Sequence, residues 1–258
     1  MIEQIKEIIK YKELLQNLTV KELKLRYKNS ALGFFWSILN PLMMMVVYTF
    51  AFKYVLRITT ENYAVVLLAG LLPWTFFQAS ISSATVSIVS NGNLVKKVYF
   101  PREIIPMSMI FSNFINFLIT FIVLFGAVII SRIHIGLPIL LLPVVLILLL
   151  AITVGLGLIL SAYNVPYRDV SHFVEIIFLA WLYLTPVVYS LDLVPEAFRG
   201  IILLNPMALV VESIRACVIY SSVPDMKYLL GMLIYAVLLL AIGFRVFSKI
   251  EKGFAETI

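Results

Sequence analysis

Six long apolar stretches, separated by short polar ones, run along this 258-residue chain, at about 32–56, 63–89, 104–130, 137–162, 173–189 and 228–247. Each meets or exceeds the roughly 17–25 residues that a helix needs to cross the hydrocarbon core of a bilayer. None shows the sustained two-residue alternation of a transmembrane barrel strand. The pattern predicts an all-α integral membrane protein with six spans. Pro41 and Pro73 lie inside the first and second spans, and such prolines need neighbours to re-satisfy freed carbonyls. The fourth span carries no charge, and its Gly155 and Gly157 allow close helix contact.

Two regions break this rhythm. In residues 1–31, Ile2, Ile5, Ile8, Ile9 and Leu15 recur at helical spacing among Lys6, Lys10, Lys12 and Glu13. That spacing predicts an amphipathic helix lying in the membrane surface, its lysines toward anionic headgroups. A solvated basic leader is the other reading. A positive stretch followed by an apolar h-region, the mark of a secretory signal, is missing. Thr19 and Glu22 have capping-box spacing and predict a second short helix from about Val20 to Lys28. Within 190–227, two apolar pieces (197–204 and 207–219) are split by Asn205-Pro206, and each is too short to span. They predict a re-entrant helical hairpin at about 195–220, with Glu212 and Arg215 three apart and able to pair. A seventh span over 201–220 competes with it.

Composition sharpens the class. The chain is 62% hydrophobic and 13% charged, with mean hydropathy +1.03, which excludes an ordinary soluble globule and a disordered chain. The lone Cys217 excludes a disulfide framework and an iron–sulfur cluster. The net charge of +6 is a topology signal and points to no nucleic acid. With six spans and both termini inside, fourteen Lys and Arg fall on the inner side and six on the outer. A seventh span would put Arg245, Lys249 and Lys252 outside, against the positive-inside rule. The expected organisation is an interface segment, 1–31, and a transmembrane unit, 32–258.

Catalytic chemistry is sparse. The chain has no Walker A loop, its three aspartates (Asp169, Asp192, Asp225) are scattered, and His134 and His172 fall on opposite sides of the expected membrane. No span carries a row of acids or histidines suited to proton relay. An enzyme and an ion-coupled carrier both lose ground, and neither a metal nor a cofactor is expected on this chain. Two inner loops stand out. Residues 91–103 set Lys96, Lys97 and Arg102 around Val98, Tyr99 and Phe100, and residues 163–172 read YNVPYRDVSH. They are either surfaces for another protein or ordinary membrane-flanking anchors.

Six motifs, in order, resemble the ABC-2-type exporter permeases. They are Ser30-Ala-Leu-Gly-Phe-Phe-Trp36 with Asn40-Pro41, Leu72-Pro73-Trp74 with Phe76 and Phe77, Leu94-Val-Lys-Lys-Val-Tyr-Phe-Pro101-Arg-Glu, Tyr167-Arg168-Asp169, Thr185-Pro186-Val-Val-Tyr189 and Asn205-Pro206. Within that family the chain is most similar to polysaccharide-export permeases of the O-antigen type, with teichoic acid and capsule permeases as near relatives. The resemblance implies a homodimer in the inner membrane with two copies of a separate ATPase subunit, which would hold ATP and Mg. It implies a substrate polymer on an undecaprenyl-diphosphate carrier, and short periplasmic helices in the hairpin.

On that reading Tyr167, Arg168, Asp169, Val98, Tyr99, Phe100 and Arg102 meet the ATPase. For Arg168 and Asp169 an intrachain helix-capping pair stands against this. Lys96, Lys97 and Arg102 receive the diphosphate or act only as topology anchors. Tyr48, Trp74, Phe77, Trp181, Tyr183 and Tyr189 line the polymer path or belong to the interfacial aromatic belt. Other substrates (teichoic acid, a capsule chain, a hydrophobic small molecule) and an intramembrane lipid-modifying enzyme are the alternatives.

Overall fold

The computed structural model describes residues 2–57 and 60–254; the side chains of Ile2 and Ile5, part of the expected amphipathic stripe, and of Glu3 lie outside the described set. The described residues form helices and connecting loops. Helices α1 (Ile2–Lys10) and α2 (Lys12–Tyr27) precede α3 (Trp36–Thr49), which ends in a wide π turn, Phe50–Val55. Next come α4 (Tyr63–Ser90), the short α5 (Gly92–Lys97), α6 (Ile104–Ile130), α7 (Leu142–Asn164, preceded by a tight turn at Leu137–Leu141) and α8 (Val170–Leu184). The chain closes with α9 (Glu196–Ile202), α10 (Pro206–Val218) and α11 (Met226–Ile250).

Five segments are long and apolar enough to cross a membrane: Gly33–Val55, Tyr63–Ser90, Ile104–Ile130, Leu137–Asn164 and Met226–Gly253. The fifth expected span differs. Helix α8 has 15 residues, about 22 Å at 1.5 Å per residue, short of a ~30 Å core. Pro186 cannot supply a helical N–H, and residues 185–190 leave the helix instead of continuing it to 189. The expected hairpin is present: α9 and α10 meet at 105° across a break that ends in Asn205-Pro206. Asn205 accepts from the Met207 N–H as N-cap, with Pro206 at the first helical position, so a straight seventh span cannot form.

The capping-box expectation fails. Helix α2 starts at Lys12, and the Thr19 hydroxyl donates back to the Leu15 carbonyl at 2.7 Å from inside the helix. A side chain bonded to its own preceding turn cannot cap a new one.

Helix α4 is apolar on all sides and occupies the centre, packed by α3, α6, α7, α8 and α10. Helices α7 and α11 make the closest pair. A Cβ on Gly155 would sit 2.4 Å from the Leu239 carbonyl carbon, and one on Gly243 would sit 2.5 Å from the Gly155 oxygen. Because lipid tails are as apolar as leucine, this close backbone approach is what joins the pair. Gly157 lies level with Ala84, so α4 and α7 run side by side and end at similar heights. We call that end of the bundle, which also carries α1 and the last turn of α11, the near end.

Gly155→Ala should lower the thermal midpoint of the detergent-purified protein by several degrees, because overpacking at a backbone contact costs about 1–3 kcal/mol. Gly126→Ala, with open space around it, should leave the midpoint unchanged or slightly raised. Equal midpoints for the two variants would refute the contact.

Candidate functional site

Two loops project from the near end. In the first, Val95 and Phe100 are buried and anchor the segment, while Lys96, Lys97, Val98 and Tyr99 face outward, Tyr99 being 87% exposed. Arg102 turns inward. Its Nη1 donates to the Glu251 carbonyl at 2.5 Å, and its guanidinium lies 5.9 Å from the Phe254 ring centroid. Arg102 therefore holds the loop to the residues that follow α11, buried Phe100 anchors it in the core, and Val98 and Tyr99 form its outer surface.

The second loop is stapled by a residue that the motif reading missed. Buried Asn164 accepts from the Ser171 N–H and so caps α8 from the end of α7. Tyr167, Arg168 and Asp169 stand out from this staple, all exposed. Neither Arg168 nor Asp169 makes an ion pair among the described residues, and Asp169 makes no side-chain cap bond at α8.

Helix α1 is tied to the first loop. Gln4 donates to Ser248 at 2.7 Å and to Glu103 at 3.3 Å. Burial pushes the Glu103 carboxyl above its ordinary range; its own backbone N–H and Gln4 pull it back, Glu7 raises it and Arg102 lowers it.

The aromatic candidates divide. Trp74, Phe77, Phe178 and Trp181 form one cluster joining α4 to α8, with Phe178 and Trp181 stacked at 5.9 Å and Phe77 edge-on to Trp181 at 5.4 Å. Trp74 and Phe77 are sealed inside the chain and present no ring to its surface. Trp181 is half-buried, and its indole N–H donates to Asn205 at 3.0 Å, which fixes α8 to the hairpin. Tyr183 is exposed, Tyr48 is half-buried beside Phe52, and the Tyr189 hydroxyl donates to the Tyr183 carbonyl at 3.0 Å.

Charge enters the membrane-embedded part at Arg215, which is fully buried on α10. It pairs with Glu212 at 2.8 Å, as the three-residue spacing predicts. It also donates to the carbonyls of Val66 (3.2 Å), Val187 (3.0 Å) and Tyr189 (3.2 Å). Non-helical backbone at membrane depth survives only where protein satisfies it, and Arg215 does this for the segment after α8. The sequence shows Arg215 as an isolated charge in an apolar run, but not that its partners come from α4 and from residues 187–189.

A bundle of long apolar helices, with a buried charged residue holding a bent helix pair and two loops displayed at one end, defines a multi-pass membrane protein. The model of the family described as ABC-2 type transporter matches residues 13–219, and the chain belongs to that family. It is 34% identical over 247 residues, 95% of each chain, to the O-antigen export system permease protein RfbA of Klebsiella pneumoniae. It is 34% identical, over the whole of both chains, to the protein of that name from Myxococcus xanthus. The polysialic acid transport protein KpsM of Escherichia coli is 22% identical over 92% of this chain and 93% of its own.

Arg215→Met should destabilise the protein by about 3–5 kcal/mol, because it leaves a buried carboxylate and three carbonyls unpaired. Adding Glu212→Leu should recover part of the loss, and denaturant titration of both variants in nanodiscs measures the difference. A second outcome concerns pH. A carboxyl raised in the folded state favours folding at low pH, and that contribution is lost as pH rises through its folded value. The protection factors of the α1 amides, corrected for intrinsic exchange, should therefore fall as pH rises above the ordinary carboxyl range, and Glu103→Gln should flatten that fall.

Proposed function

We propose that the chain is the transmembrane subunit of an ATP-driven exporter that carries lipid-linked O-antigen polysaccharide outward across the inner membrane. The observation that carries this reading is the full-length similarity, at 33–34% identity, to three O-antigen export permeases. The weaker match to polysialic acid and capsule transport proteins supports polysaccharide as the substrate class.

ATP and Mg belong to a separate ATPase subunit, two copies to a permease dimer, since this sequence has no Walker A loop. The positive residues of α1, of residues 91–103 and of the last turn of α11 lie at the near end, which supports a cytoplasmic near end with both termini inside. The ATPase meets the outer parts of the two loops: Val98 and Tyr99 in the first, Tyr167, Arg168 and Asp169 in the second. Closure of the ATPase pushes on both loops and biases the bundle between two states. Phe100 and Arg102 serve as the anchors that transmit the push to α6 and α11.

A second copy of this chain covers the helices least packed by their own bundle. Helix α3 and the π turn after it expose Met43, Val47 and Phe50; helix α8 exposes Ile176, Leu179 and Tyr183. The polymer then passes between the copies over Tyr48, Tyr183 and the free edges of Trp181 and Tyr189. Aromatic faces give the weak, repeated contacts that a sliding sugar chain needs, and Trp74 and Phe77 support them from behind.

Depletion of the protein in cells should remove polysaccharide from the surface and leave lipid-linked polymer on the cytoplasmic face. Normal surface glycan without internal build-up, in cells with no second exporter, sinks the reading. Tyr167→Ala and Arg168→Ala should reduce surface polymer about 5- to 30-fold, the effect of about 1–2 kcal/mol of lost coupling, while insertion and thermal midpoint stay unchanged.

A further inference from the structure

Helix α1 is fastened to the near end by few groups. Of its described side chains only Ile8 is buried, and Ile9 is 61% exposed. Gln4 makes the polar attachment. Its amide donates to Ser248 at 2.7 Å, to Glu103 at 3.3 Å and to the Phe244 carbonyl at 3.4 Å. One side chain thus bridges the start of α6 and the last turns of α11. Tyr11 separates α1 from α2 with φ −99° and ψ 24°, in the bridge region. It is a joint about which α1 can swing while α2 stays wound.

A cavity of about 300 Å³ lies against α1, and its wall includes Gln4, Glu7, Tyr99, Glu103, Ser248 and Glu251. Three carboxylates therefore meet from three elements: Glu7 from α1, Glu103 from the first loop and Glu251 from the end of α11. None of them is in an ion pair among the described residues. The cations on the same wall are Arg102 and Lys252. Arg102 is committed to the Glu251 carbonyl and the Phe254 ring, and Lys252 is exposed. Glu103 is the most enclosed of the three carboxylates, at 4% exposure, whereas Glu7 is exposed.

The charge on Glu103 then decides whether α1 stays. While neutral, Glu103 tolerates burial, and its oxygen accepts from Gln4. Once ionised under α1, it is held away from water and faces two like charges, one of them carried by α1 itself. Departure of α1 hydrates Glu103 and takes Glu7 away, so the docked state binds the proton more tightly than the released one. The same departure removes one of two ties between the first loop and α11, leaving the Arg102 bond to Glu251. Tyr99 borders this cavity, so the outer part of the loop is what loosens.

We propose that α1 is a detachable latch on the first loop: docked while Glu103 is protonated, it swings away about Tyr11 when Glu103 ionises, and so frees Val98 and Tyr99 to move. The latch stands on the geometry of this chain alone; that the freed loop meets an ATPase rests on the export reading.

The test uses the full chain with Cys217→Ala in phosphatidylcholine nanodiscs, spin-labelled at Lys6→Cys and Lys249→Cys, both exposed positions. Pulsed resonance should give one short distance at low pH. A longer one should grow as pH rises above the ordinary carboxyl range, the docked-to-released ratio falling up to tenfold per pH unit, as one linked proton requires. Glu103→Gln should keep the short distance throughout, and Gln4→Ala should release α1 at every pH. A label at Tyr99→Cys should gain mobility over the same pH range, and should not do so with Glu103→Gln. A distance that ignores pH in the parent, a Glu103→Gln variant that still titrates, or a Gln4→Ala variant that stays docked overturns the latch. Release without a change at Tyr99 overturns its hold on the loop. Neither ATPase nor polymer enters this assay, so its failure leaves the export reading standing, and failure of the depletion test leaves the latch standing.

Discussion

The constraint on which this structure turns is the satisfaction of backbone carbonyls where a helix stops inside an apolar bundle. Helix α8 ends at Leu184, and residues 185–190 continue as buried, non-helical chain that no lipid can hydrate. Arg215 donates to Val187 and Tyr189 in this segment and to Val66 on α4, while the Tyr63 hydroxyl donates to Val188 at 2.8 Å. Glu212 balances the charge, which makes a buried arginine tolerable. Remove that set and the hairpin, the end of α8 and the start of α4 lose their common anchor.

Around that anchor the bundle has a tight part and a loose part. Helices α7 and α11 meet backbone to backbone at Gly155 and Gly243, and α4 fills the centre. Helices α3 and α8 hold on by narrower stripes, and α8 buries fully only Val174 and Phe178. In a transporter the loosely held helices are the ones that move or accept a partner, because fewer contacts must be remade. Trp74, Phe77, Phe178 and Trp181 keep α8 attached through ring contacts, and Trp181 couples it to the hairpin through Asn205.

The near end shows how one motif divides its labour. In residues 94–103 the exposed Lys96, Lys97, Val98 and Tyr99 alternate with buried Val95 and Phe100 and inward-turned Arg102. Surface and anchor residues are neighbours in sequence, so only a few ångströms of covalent chain separate the exposed stretch from the residues held against α6 and α11. Asn164 does the same for the second loop by tying the end of α7 to the start of α8.

Much of this was legible in the residues themselves. Long apolar runs fix spanning helices because a bilayer leaves the backbone no other partner, and the Asn205-Pro206 break fixes the hairpin because proline sets a helix start. The Glu212–Arg215 pair follows from helical spacing. Local patterns failed where a competing bond decided: Thr19 bonds back to Leu15, and Pro186 ends α8 before Tyr189. An aromatic residue reads the same in a core and in a channel wall, so the burial of Trp74 and Phe77 was settled by the packing of α8 on α4. Arg26 reads as one more basic residue of a surface helix; only the packing of α2 on α6 sets it beside Asn113. By itself the sequence determined what must be in the membrane, since that depends on local apolarity and length. Tertiary structure alone decided which polar groups meet there, because their partners lie tens to more than a hundred residues away and no spacing rule reaches that far.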